Sequence, residues 1–112
     1  MSEALDSFVA AAADHGRHTL EGDARKTNAA FKKLHRAREA LRANGDGGPS
    51  SLIALLFHGD ASVRIWAALY LLPSNEGAAL AVIDAVGKGE GLIALGARMT
   101  AREWRAGRLE VR

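Results

Sequence analysis

Cysteine is absent from the 112-residue chain, which excludes disulfides, iron–sulfur clusters and thiolate zinc sites and suits a reducing compartment. Aromatic residues are scarce, at 5%, so a core must be built from Ala, Leu, Ile and Val, the side chains that let helices approach closely. No apolar run approaches the roughly 20 residues that cross a bilayer as a helix. The opening Met-Ser-Glu-Ala-Leu-Asp-Ser-Phe carries acids where a secretory signal needs a basic region. The expectation is a cytoplasmic chain with no membrane partner. Signatures of chemistry are missing as well. The glycine-rich runs at 44–49 and 87–91 follow no strand and lead into no Gly-Lys-Ser/Thr, so neither reads as a phosphate or dinucleotide loop. No Ser, His and acid grouping has a nucleophile-elbow context.

What is present is helix-forming material. With 48% hydrophobic residues, the length suits one domain, residues 1–112, and the composition suits an all-α fold. Leu5, Phe8, Val9, Ala12 and Ala13 recur at spacings of three and four and predict a first helix over 2–15, capped by Ser2 and stopped at Gly16. Residues 23–43 predict a second helix, capped by Asp23 or Gly22. Its apolar stripe is Ala24, Asn28, Phe31, Leu34, Arg38 and Leu41, and its outer side is cationic. Asn28, a carboxamide on that stripe, needs a partner on burial and is expected to bond to a loop backbone. The run Asn-Gly-Asp-Gly-Gly-Pro at 44–49 is the strongest break.

Residues 51–72 read as two short apolar helices joined at His58-Gly59-Asp60. Asp60 or Ser62 caps the second, and Pro73 ends it. Ser74-Asn75-Glu76 signals the start of another helix, rich in Ala, Val and Ile, that stops at the turn 87–91. A last helical region runs from Leu92 to about Ala106, with a kink near Gly96 or Thr100 expected to divide it. Three helical hairpins result, at about 2–43, 49–72 and 74–107.

Leu-x-x-Leu-Leu followed by Gly-Asp-x-x-Val-Arg-x-x-Ala-x-x-x-Leu resembles a HEAT-type repeat across 51–72. The wider pattern adds Leu55-Leu56, Trp66-Ala67-Ala68, Leu71-Leu72-Pro73 and Glu103-Trp104-Arg105. It is similar to small bacterial HEAT-like helical-repeat domains of unknown function. The resemblance implies an α-α superhelix, or solenoid, of about three hairpins, and supplies no catalytic residues. Such repeats usually carry an Asp six residues before the motif Arg. Here His58 stands in that place, which leaves Asp60 as a substitute partner for Arg64.

Charge is unevenly spread. Residues 1–22 hold one Lys/Arg against four Asp/Glu, 23–44 seven against two, 45–97 two against five, and 98–112 five against two. Lys32, Lys33, Arg36, Arg98, Arg102 and Arg105 therefore form a candidate binding surface, with Arg112 on the same face if the last helix persists. Exposed charges also simply keep helices hydrated, and only a structure separates the two. Phe31, Trp66 and Trp104 are expected in the core, which leaves no stacking aromatics for nucleic acid. Asp60, Arg64, Trp66, Trp104 and Asn28 are assigned structural roles.

His15 and His18, with Asp14 and Glu21 nearby, sketch a metal site, but a helix broken at Gly16 presents them badly, and no metal or cofactor is expected. His35 is expected in solvent, and His58 in the central turn as a loop or cap residue. An enzyme would require a pocket gathering His58, Asp60, Arg64 or Tyr70. The leading expectation is a non-enzymatic module that binds another macromolecule, a protein first, with a toxin-neutralising (immunity-type) role as one form of it. Nucleic-acid binding through the Arg/Lys surface is the alternative. Homodimerisation through solenoid ends, near Leu109 and Val111, stays open.

Overall fold

A computed structural model describes residues 3–43 and 49–111. Among these residues every regular element is helical: α1 (Glu3–Glu21), α2 (Ala24–Ala43), α3 (Pro49–Ile53) running into a 3-10 turn at Ala54–Phe57, α4 (Ala61–Leu71), α5 (Glu76–Gly87) and α6 (Leu92–Arg105). The expected Ser2 cap, the loop at 44–48 and Arg112 lie outside the described residues. The chain divides into two compact units, Met1–Ser51 and Leu52–Arg112. The first expected hairpin falls in the first unit and the third in the second, while the middle one, 49–72, begins in the first unit and continues in the second from Leu52.

The first unit is a hairpin of α1 and α2 packed against each other. Its helix α1 does not stop at Gly16, which is buried inside it. Thr19 Oγ1 donates to the His15 carbonyl at 2.7 Å across the same turn. The terminator is Gly22, whose φ of 73° is the left-handed conformation that only glycine adopts freely. Asp23 then caps α2, accepting from the Lys26 N–H at 3.0 Å. A link of two residues folds the helices back on each other.

The core of this unit is Phe8, Ala11 and Ala12 from α1 with Ala30, Leu34, Ala37 and Leu41 from α2. The spacings of four, three and four on α2 mark one helical face. That face is rotated from the expected stripe. Asn28 is exposed rather than bonded to a buried loop, and Phe31 is 43% exposed rather than in the core. The physical reason is size: Ala30 and Ala37 allow α2 to lie close to α1 with Phe8 already filling the space between them, and a second phenyl ring there would push the helices apart.

In the second unit, α4 packs on the 3-10 turn and on α5, and α5 packs on α6. Leu52, Leu55, Leu56, Val63, Ala67, Ala68, Leu71, Leu72, Ala79 and Ile83 are buried. The helix expected to be buried nearly all round tightens at Ala54–Phe57 into 3-10 geometry, which turns Phe57 outward to 85% exposure. Trp66 and Trp104 are half-buried rather than core residues. Trp66 packs beside Tyr70 with ring centroids 6.1 Å apart. Trp104 Nε1 donates to Glu76 Oε2 at 2.7 Å. That contact engages the Glu76 carboxylate with α6; α5 begins at Asn75 without a side-chain cap. The last helix is continuous through Gly96 and Thr100, so no kink divides it.

Asp60 is the N-cap of α4. Its Oδ1 accepts from the Ser62 N–H at 2.8 Å and the Val63 N–H at 3.3 Å. Asp60→Ala removes both bonds, and a loss of about 1 kcal/mol is expected in chemical denaturation. Asp60→Asn, which keeps an acceptor, is expected to lose much less.

Candidate docking face on α2

The six sequence-selected cations separate into two sets of three, one in each unit. In the second unit, Arg98 and Arg105 are held by intramolecular bonds. Arg98 Nη1 donates to the Gly87 carbonyl at 2.6 Å and the Gly89 carbonyl at 3.2 Å, so it closes the turn between α5 and α6 against the negative end of α5. A Cβ built on Gly87 would stand 3.0 Å from Arg98 Cγ, which explains the glycine at that site. Arg105 makes a two-pronged pair with Asp84, at 3.0 and 2.7 Å. Arg108 pairs with Glu103 in the same manner, at 2.7 and 3.2 Å. Arg102 is exposed and, alone of the α6 set, has neither a salt bridge nor a side-chain hydrogen bond among the described residues.

The Arg105 guanidinium holds the Asp84 carboxyl below the usual carboxylate range by direct hydrogen bonding and then by charge. A carboxyl whose pKa is depressed on folding stabilises the fold above its unfolded pKa, and that contribution is lost as pH falls through the folded value. Both groups are at the surface, so the effect is small. Arg105→Gln is expected to return the Asp84 midpoint toward its ordinary value, read by an NMR pH titration.

The three cations of the first unit are arranged differently. Lys32, Lys33 and Arg36 are exposed on α2, together with Arg25 and Asn28, around a shallow surface hollow of about 440 Å³. None of these cations has a carboxylate partner among the described residues, whereas Arg17 pairs with Asp14 and Arg42 with Glu39. Phe31 and His35 stand one helical turn apart on the exposed side of the same helix, with ring centroids 6.4 Å apart. An exposed aromatic next to free cations is the feature that sequence reasoning missed. Its signal was present, because Ala30 and Ala37 could be chosen for the seam in place of Phe31.

Lys33 and Arg36 also border a second hollow, a groove of about 530 Å³ between α1 and α2. Its lining includes Ala4, Ser7, Ala10, Ala11, Ala37 and Ala40, with Glu3 and Asp14 on the α1 side. The groove is thus floored by small side chains, acidic on one wall and basic on the other.

His58, Asp60 and Arg64 come together, but as the walls of a turn. The Asp60 N–H donates to His58 Nδ1 at 3.0 Å, and Arg64 Nη1 donates to the His58 and Gly59 carbonyls at 2.7 and 3.1 Å. The partner of Arg64 is therefore backbone, not Asp60. Tyr70 stands farther along α4 against Trp66. His18 Nδ1 bonds to Glu21 Oε1 at 2.8 Å, while His15 is half-buried, which lowers its pKa. Among the described residues no three His, Asp or Glu side chains gather as a metal cage, and no helix is long and apolar enough to cross a membrane. No family model, no curated protein and no solved structure matches the chain.

Proposed function

We propose that the chain is a non-enzymatic docking module that binds an acidic protein through the exposed face of α2. The observation that carries this reading is the contrast in pairing among the described residues: Arg17, Arg42, Arg105 and Arg108 are matched to carboxylates, while Arg25, Lys32, Lys33 and Arg36 share one helix face with no carboxylate partner there. Like charges one turn apart, such as Lys32 and Arg36, cost a helix a few tenths of a kcal/mol. A partner's carboxylates would turn that cost into attraction and steer the encounter. Phe31 supplies an apolar anchor beside the charged rim, the common anatomy of a protein interface.

A protein is favoured over nucleic acid by the adjoining groove. Glu3 and Asp14 on its α1 side repel a phosphate backbone but suit the mixed charges of a protein helix, and the alanine floor accepts side chains from one. The succession of hairpins with short turns supports a HEAT-like repeat, and the free cationic face supports an immunity-type role in which the module covers an acidic site on a toxin. The test is a titration of the ¹⁵N-labelled chain with an acidic helical peptide and, separately, a short DNA duplex. The peptide is expected to shift amides of α2 around 25–36 and of Ala10, Ala11, Ala37 and Ala40. Shifts produced by the duplex alone would support the nucleic-acid reading instead, and shifts from neither would leave the face as a hydrated surface only.

A further inference from the structure

Helix α6 is packed the opposite way from an ordinary amphipathic helix. Its alanines, Ala94, Ala97 and Ala101, are buried, whereas Leu92, Leu95 and Met99 are 53%, 45% and 54% exposed. Those three, followed by exposed Arg102, fall at spacings of three, four and three. This is the narrow seam of a two-helix coiled coil, directed away from the unit's own core. Gly96 adjoins the seam, and a Cβ built on it meets nothing within 4 Å. A mid-helix glycine costs about 1 kcal/mol relative to alanine, and nothing in the surrounding unit occupies the space it leaves. The notch admits a second backbone.

We propose that this seam pairs with the same seam of a second copy, antiparallel, about a two-fold axis. Charge selects the occupant and the direction. In a parallel pair the two Arg102 side chains would meet at one end. In the antiparallel pair Leu95 faces Met99 of the second copy, and Leu92 lies under the aliphatic stem of its Arg102. The Arg102 guanidinium then reaches Glu90, an exposed acid just ahead of α6, in the other chain. Two such pairs form, one at each end, so the surface is self-complementary as a two-fold interface must be. Arg98, the other cation on this flank, is folded back onto the Gly87 and Gly89 carbonyls. The apolar part of the seam, Leu92 to Met99, spans only about two turns, so the dimer is weak and forms at high protein concentration. The seam belongs to the second unit and the α2 face to the first, and neither proposal depends on the other.

Sedimentation equilibrium of the full chain over a wide concentration range tests it. The weight-average mass is expected to rise from 11.8 kDa toward twice that value. Leu95→Glu with Met99→Glu, both at exposed positions, is expected to hold the mass at the monomer value with an unchanged circular dichroism spectrum. Arg102→Glu is expected to weaken the dimer severalfold, and the swap Glu90→Arg with Arg102→Glu to restore it. Since the chain has no cysteine, direction is read by single cysteines and a short bismaleimide. Gly96→Cys lies near the two-fold and couples. Ala106→Cys stands about 27 Å from its copy along antiparallel axes and does not, although a parallel pair would couple both. A monomer at every concentration, a dimer that survives the Leu95/Met99 variant, no rescue by the charge swap, or coupling through Ala106→Cys would each overturn the proposal.

Discussion

Reversing three charges, Lys32→Glu with Lys33→Glu and Arg36→Glu, is expected to weaken binding of an acidic helical peptide about a hundredfold, with only a small loss of thermal stability. Each reversal removes an attraction of about 0.5–1 kcal/mol at a partly exposed interface and adds a repulsion of similar size, about 1–2 kcal/mol per site; screening favours the lower end, so three sum to roughly 3 kcal/mol, about a hundredfold. The stability side follows from the pairing pattern. These side chains are exposed and have no carboxylate partner among the described residues, so reversal breaks no salt bridge. The new acids leave a like-charge pair at 32 and 36 and stand across the groove from Glu3 and Asp14, exposed repulsions that cost only a few tenths of a kcal/mol each. Isothermal titration calorimetry at low and moderate salt, with thermal melts of the same samples, reads both halves. A wild-type affinity insensitive to salt would contradict the electrostatic account.

Phe8→Ala is expected to cost about 3–5 kcal/mol, the range for deleting a buried phenyl side chain. Phe8 is fully buried and is the largest side chain in the core of the first unit, where its neighbours are mostly alanine and two leucines. Alanine has few rotameric means to fill a cavity, and α1 and α2 are already in close approach through Ala30 and Ala37. The hole therefore stays open, and the upper part of the range applies. Since small domains are stable by only about 5–15 kcal/mol, the variant is expected to lose amide-exchange protection throughout α1 and α2. Phe8→Leu, which retains most of the volume, is expected to keep most of it. Equal protection in the alanine variant would show that the hairpin does not rest on this side chain.

The central hairpin was legible because its determinants are local. Gly59-Asp60 followed by Val63, Ala67 and Leu71 encodes a turn, a cap and a buried face within a dozen residues, and the fold uses each as read. Asp23 as the α2 cap was legible for the same reason. The failures concern choices that depend on distant residues. Gly16 and Gly22 are equally able to end a helix, and α1 ends at the second, just before the Asp23 cap. The α2 face was misplaced because a phenylalanine outweighs an alanine in any hydrophobic pattern, while the seam with α1 selects the smaller residue. Arg98 and Arg105 looked like part of a binding surface because counting charges does not reveal pairing. The Arg105 partner, Asp84, is 21 residues away, and the Arg98 partners are backbone carbonyls. The α6 helix shows the same limit: its leucines carry the hydrophobic pattern, and in the fold the alanines beside them are buried instead.

Site-specific photo-crosslinking in the native host tests the docking role of α2 most directly. With a photoreactive amino acid at position 36 or 40, beside the cationic rim and the alanine groove, irradiation is expected to yield one discrete protein adduct. The adduct should disappear in the Lys32/Lys33 charge-reversed background and should be absent with the probe at exposed Gly77. Adducts with nucleic acid alone, or the same protein background from positions 36, 40 and 77, would contradict the account.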